Sequence, residues 1–151
     1  MMYPAEKIKE LDKKYVWHPF TQMSEWEKED NIIIAGGRDE FLFDIEGKKY
    51  IDGVSSLWVN LHGHRNKEIN KAVKKQLDTI SHSTLLGLGN VPSTLLAERL
   101  VLLAPRGLTK VFYSDNGSTS VEIAIKMAYQ YWQNTGNTKK KNIVHLSNSY
   151  H

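Results

Sequence analysis

Residues 110–146 read KVFYSDNGSTSVEIAIKMAYQYWQNTGNTKKKNIVHL, and this stretch decides the fold class. Lys110 to Ser114 is a short apolar run of the kind found in buried strands. Ser118 to Gln133 follows, with Val121, Ala124, Ile125, Ala128 and Trp132 at helical spacing, which predicts one buried stripe. Glu122 and Lys126 form an i,i+4 pair on the wet side. Asn134 to Asn137 breaks the helix, and Ile143 to Leu146 reads as another apolar strand. Strand, helix, strand is a βαβ unit, which implies a parallel sheet and an α/β protein. Such a sheet needs cover on both faces. Two parallel strands and three helices supply little cover, so the sequence reads as part of a larger α/β domain. A small self-contained α+β protein is the alternative.

Working toward the N-terminus, Asn90 precedes a second helix with Pro92 in its first turn and Leu95, Leu96, Leu100 and Leu103 along it. That helix is expected to stop near Pro105-Arg106-Gly107. Asn66 is placed to cap a helix carrying Ile69, Val73, Leu77 and Ile80. Before Gly63 the period changes. Ile32-Ile33-Ile34 is a β-type run expected to end at Gly36-Gly37. Glu40 to Asp44 alternates, Glu46-Gly47 signals a turn, and Lys49 to Asp52 resumes β character. These predict a small antiparallel meander. Ala5 to Tyr15 is charged and reads as a surface helix, followed by the irregular Trp17-His18-Pro19-Phe20.

Composition narrows the chemistry. There is no cysteine among the 151 residues, which excludes disulfides, a thiolate nucleophile and cysteine-based metal sites in this chain. No run approaches the ~18 apolar residues of a membrane span, and Met1 to Lys14 lacks the apolar core of a secretory signal, so a cytoplasmic location is expected. The net charge of +3 is slight, and Lys139-Lys140-Lys141 reads as a solvated turn, so neither nucleic acid nor membrane is expected as a partner. His62 and His64 have no neighbouring cluster to complete a metal site. They read as hydrogen-bonded turn residues, and no metal is expected.

The turn Asp115-Asn116-Gly117-Ser118-Thr119 admits two readings. Amides at a helix N-terminus and the helix dipole attract anions, and Gly117 allows close approach, so phosphate is a natural ligand. Equally, Asn116 or Ser118 can do no more than cap the helix. Residues alone leave both open.

Asp115-Asn116-Gly117-Ser118 with Val121-Glu122-Ile123-Ala124-Ile125-Lys126-Met127-Ala128 resembles the phosphate-cup strand and helix of class III pyridoxal-phosphate (PLP) aminotransferases. The hairpin Asp44 to Gly53, His62-Gly63-His64 and Ser149-Tyr150-His151 resemble other motifs of that family. Trp17-His18-Pro19-Phe20-Thr21-Gln22-Met23, Ser55-Ser56-Leu57-Trp58 and Tyr129-Gln130-Tyr131-Trp132 are similar to its biotin-biosynthesis branch, the 7,8-diaminopelargonic acid synthases.

The resemblance implies the fold type I PLP-dependent transferase fold (aspartate aminotransferase-like), here incomplete, and a homodimer with active sites at the subunit interface. Residues 1–63 would belong to the small domain and 64–151 would begin the PLP-binding large domain. Gly117 and Ser118 match positions that hold the cofactor phosphate. Tyr150 matches the aromatic stacked on the pyridine ring, beside the substrate. Trp58 and Phe20 match substrate-pocket positions. The implied reaction is transfer of an amino group to 8-amino-7-oxononanoate, giving 7,8-diaminononanoate. Phe20 stands where many relatives have tyrosine, and Leu57 where many have a second tryptophan. That pattern leaves the donor open between S-adenosylmethionine and lysine. The family's cofactor-anchoring lysine and its pyridine-pairing aspartate have no match here. The chain is therefore expected to be the N-terminal part of the enzyme, to contain no catalytic residue, and to be inactive alone. Another class III aminotransferase acting on ω-amino acids, or a non-catalytic phosphate-ligand module, are the alternatives.

Overall fold

The computed structural model describes residues 3–150. His151 of the Tyr-His match lies outside the described residues. The chain divides into two compact units, Met1–His82 and Ser83–His151.

The first unit is built on a meander of β1 (Ile34–Arg38), β2 (Phe41–Asp44) and β3 (Lys49–Ile51), antiparallel in the order β1-β2-β3. The register pairs Arg38 with Phe41 and Phe41 with Ile51, and it shifts between Ile34 and Gly36. Where the sequence suggested that Gly36-Gly37 ends a strand, β1 instead runs through both glycines. The reason is a close approach: a Cβ on Gly37 would lie 2.6 Å from His64 Cγ, so only glycine lets the strand pass that ring. The β2–β3 turn is organised by Asp44, which is 8% exposed. One of its carboxylate oxygens accepts from the amides of Glu46 and Lys48 at 2.9 and 2.8 Å, and the other from the Tyr50 hydroxyl at 2.8 Å. Gly47 takes the positive φ (87°) that this turn needs.

Helix α1 (Ala5–Tyr15) lies beside this meander, its Lys9 ammonium paired with both Asp30 and Glu46. Asp12 of α1 accepts from Trp26 Nε1 (2.9 Å), at the end of the short α2 (Met23–Trp26), and from His18 Nε2 (3.0 Å). His18 of the aromatic segment is thus an anchor to α1. A single turn, α3 (Ser55–Trp58), follows the sheet, and α4 (Lys67–Thr79) closes the unit. Asn66 caps α4 as its sequence predicts, accepting from the amides of Glu68 and Ile69.

In the second unit α5 (Val91–Leu103) is capped by Asn90 and α6 (Gly117–Asn134) by Asn116. Tyr113 donates its hydroxyl to the Ser93 carbonyl, tying the approach to α6 to the start of α5. Of the lysine run, Lys140 lies over the Trp132 ring, 3.5 Å from its centre.

Two sequence expectations need correction. Lys110–Ser114 and Ile143–Leu146 carry no strand pairing among the described residues, so the parallel ladder is not formed. A strand exists through its neighbours' N–H and C=O groups, and neither segment has such a neighbour here. The stripe of α6 is also not buried: Ile125 is 39% exposed, and no apolar side chain among the described residues reaches full burial. The stripe is present, but the sheet surface that would cover it is not assembled.

Candidate functional site

The turn before α6 assigns the capping role to one residue. Asn116 takes the cap: its side-chain oxygen accepts from the Thr119 amide at 3.0 Å, and the Thr119 hydroxyl faces the Asn116 amide in return. This reciprocal arrangement satisfies the N-cap and N3 amides. Gly117 and Ser118 fall at the first two helical positions, on the positive end of the dipole of an 18-residue helix. No acidic residue lies in that first turn to repel a phosphate. Asp115 is engaged elsewhere. Its carboxylate accepts from the Thr119 hydroxyl at 2.7 Å, and that bond holds it below the usual carboxylate range. Ser114 and Ser120 hydroxyls meet across the base of the turn, tying the approaching chain to the first turn of α6. A dianion held by backbone amides fits this helix start.

Tyr150 lies in the same unit, with its side chain exposed (75%). Trp58 (66%) and Phe20 are exposed residues of the first unit. Phe20 has a positive φ of 52°, an uncommon conformation for an aromatic residue.

The turn carrying Trp58 has the longest run of positive-φ non-glycine residues among the described residues. Ser55, Ser56, Leu57 and Trp58 have φ values of 51°, 49°, 64° and 69°. The amides of Trp58 and Val59 donate to the carbonyls of Val54 and Ser55, so this is one turn of left-handed helix. L-residues pay roughly 1–2 kcal/mol each in that hand. Asp52 sits at its foot with a side chain only 5% exposed. It accepts from the Ser56 amide and hydroxyl, both at 2.7 Å, and from His64 Nε2 at 2.8 Å. The Ser56 amide bond leads the causes that keep the Asp52 carboxyl below its ordinary range. His64 is itself pinned, its N–H and C=O exchanging hydrogen bonds with Asp39 at 2.8 and 3.0 Å. Sequence reading reached His64 as a hydrogen-bonded turn residue but missed Asp52. The available signal was an aspartate at a strand end with serines three and four residues on.

Residues 23–151 match the family model "Aminotransferase class-III". The chain belongs to the class III aminotransferases. These are PLP-dependent enzymes. The chain is 56% identical over 150 residues to the adenosylmethionine-8-amino-7-oxononanoate aminotransferase of Staphylococcus aureus, covering 97% of this chain and 33% of that protein. It superposes on the crystal structure of the enzyme of that name from Methanocaldococcus jannaschii with a TM-score of 0.85 and 56% identity, covering 87% of this chain and 30% of that one. A transaminase from a marine Virgibacillus gives 0.81 at 36% identity, covering 86% and 30%. The fold is that of the fold type I PLP-dependent transferases. The chain spans about a third of the length of the curated relatives it matches.

Proposed function

We propose that this chain supplies the cofactor-phosphate grip and part of the substrate wall of a PLP-dependent aminotransferase of biotin biosynthesis. The observation that carries the reading is the 56% identity, across nearly the whole chain, with a relative named for that reaction. The reaction moves an amino group to 8-amino-7-oxononanoate and yields 7,8-diaminononanoate. The bound cofactor supplies the electron sink that makes the exchange feasible.

The residues of this chain then have distinct tasks. The amides at Gly117 and Ser118, with the serine hydroxyl, bind the phosphate. Tyr150 packs against the ring and fixes its tilt, as offset aromatic stacking favours. Trp58 and Phe20 line the substrate pocket, with the indole forming an apolar wall for the pelargonic chain. We assign residues 1–63 to a small domain and 64–151 to the cofactor-binding domain, in a homodimer. The proposed location is the cytoplasm. No helix among the described residues is long and apolar enough to cross a membrane.

Two assays test this in the full-length protein. Keto-acid amination should proceed on 8-amino-7-oxononanoate, and failure with that acceptor but turnover of simple ω-amino acids would move the assignment to another class III activity. Replacing Ser118 with alanine should weaken PLP binding by about tenfold, as expected for losing one hydrogen bond to a charged group. Unchanged cofactor affinity would remove Ser118 from the phosphate site. Lysine as donor is the second reading, favoured by Phe20 and by Leu57 preceding the single Trp58. Parallel assays with adenosylmethionine and lysine decide between them.

A further inference from the structure

Four consecutive non-glycine residues in left-handed conformation do not persist by local preference. Something must hold them, and the holder lies within the same segment. Asp52 closes two bonds onto Ser56, the second residue of the turn, and a third onto His64. His64 is in turn fixed on two sides. Its backbone is bridged to Asp39, and its ring lies so close to Gly37 that a methyl group there has no room. A side-chain carboxylate with such a rigid foothold can dictate the hand of the backbone it grips. The last residue of that turn is Trp58.

We propose that Asp52 is a positioning residue for substrate binding: through Ser56 it latches the 55–58 turn in its left-handed form, and so sets where the Trp58 indole stands in the acceptor pocket. This rests on the reading of Trp58 as a pocket residue. Reversing the hand of the turn would swing the Trp58 side chain to another side of the chain. Asp52 therefore governs acceptor affinity without touching acceptor or cofactor.

The test is steady-state kinetics on the full-length holoenzyme with three variants. Trp58→Ala checks the underlying reading and should raise KM for the keto acid. Asp52→Ala should raise the same KM by about tenfold while kcat stays within about twofold, the pattern of lost binding and not of lost chemistry. Asp52→Ala combined with Ser55→Gly should recover most of that loss, because glycine enters positive φ freely and lessens the need for the latch. A residue that only stabilised the fold would lower the melting temperature and the fraction of active enzyme, leave KM unchanged, and gain nothing from the glycine. If Trp58→Ala raises KM and Asp52→Ala does not, the latch is overturned while the pocket reading survives. If Trp58→Ala changes nothing, the pocket reading falls and the latch falls with it. Should Asp52→Ala yield no holoenzyme, Ser56→Ala carries the test. It deletes one latch bond and spares the Asp52–His64 pair, so an increase in KM of about threefold supports the proposal and an unchanged KM overturns it.

Discussion

The meander of residues 34–51 and the segments flanking α6 both read as strands in the sequence, yet only the first forms a sheet among the described residues. The difference lies in where the hydrogen-bonding partners come from. In the meander each strand finds its neighbour across a short connection, and the β2–β3 turn is closed by a nearby side chain. Asp44 alone satisfies two turn amides and the Tyr50 hydroxyl. Around α6 a crossover helix joins the two segments, but neither has a paired strand beside it among the described residues. Antiparallel hairpins are self-sufficient in their backbone bonding, and parallel strands are not.

Hydrogen exchange gives the largest contrast. In the 151-residue chain, amides of 34–51 should be protected while 110–114 and 143–146 exchange at nearly unprotected rates. In the full-length protein both groups should be slow. Equal protection of both regions in the 151-residue chain would break the comparison. That chain should also show no transamination, since none of its lysines matches the cofactor-anchoring position; amine transfer by it would overturn this.

A single methyl group should test the meander's packing. Gly37→Ala forces a Cβ against the His64 ring, and overpacking of this kind costs about 1–3 kcal/mol in the full-length protein, read by denaturant titration. A neutral result would mean that His64 moves aside at little cost. On the other side of the comparison, Asn116→Ala removes the cap of α6 and should cost about 1 kcal/mol by the same measurement, while weakening PLP binding only indirectly.

The smallest effect is acid sensitivity. Burial pushes the Asp44 carboxyl up, but bonds from Tyr50, Lys48 and Glu46 outweigh it and leave it below its ordinary value; Asp52 is lowered as well. Carboxyls held low in the fold stabilise it above their unfolded value of about 3.9, and that contribution is lost as pH falls through their folded values. Protection of the 34–51 amides, relative to their intrinsic exchange at each pH, should therefore fall below about pH 4, and Asp44→Asn should flatten that dependence.

Much of this was legible because it is local. Asn66, Asn90 and Asn116 marked their helices, since a cap reads only the next three residues. The Glu122–Lys126 pair needed only helical spacing. The turn before α6 was visible as a glycine and serine at a helix start, and the structure added that Asn116 holds the cap.

What residue order determined alone was the alternation of elements, the caps, and membership of the aminotransferase family, all fixed by neighbours in sequence or by motif. What tertiary structure decided was the passage of β1 through two glycines, the Asp52–Ser56–His64 latch and the left-handed turn it holds. The Gly37 and Asp52 contacts with His64 bring together groups a dozen or more residues apart, and the Asp52–Ser56 bonds depend on a backbone hand that no periodicity reports. The uncovered stripe of α6 shows the same limit from the opposite side: sequence says that a face is apolar, and only packing says what covers it.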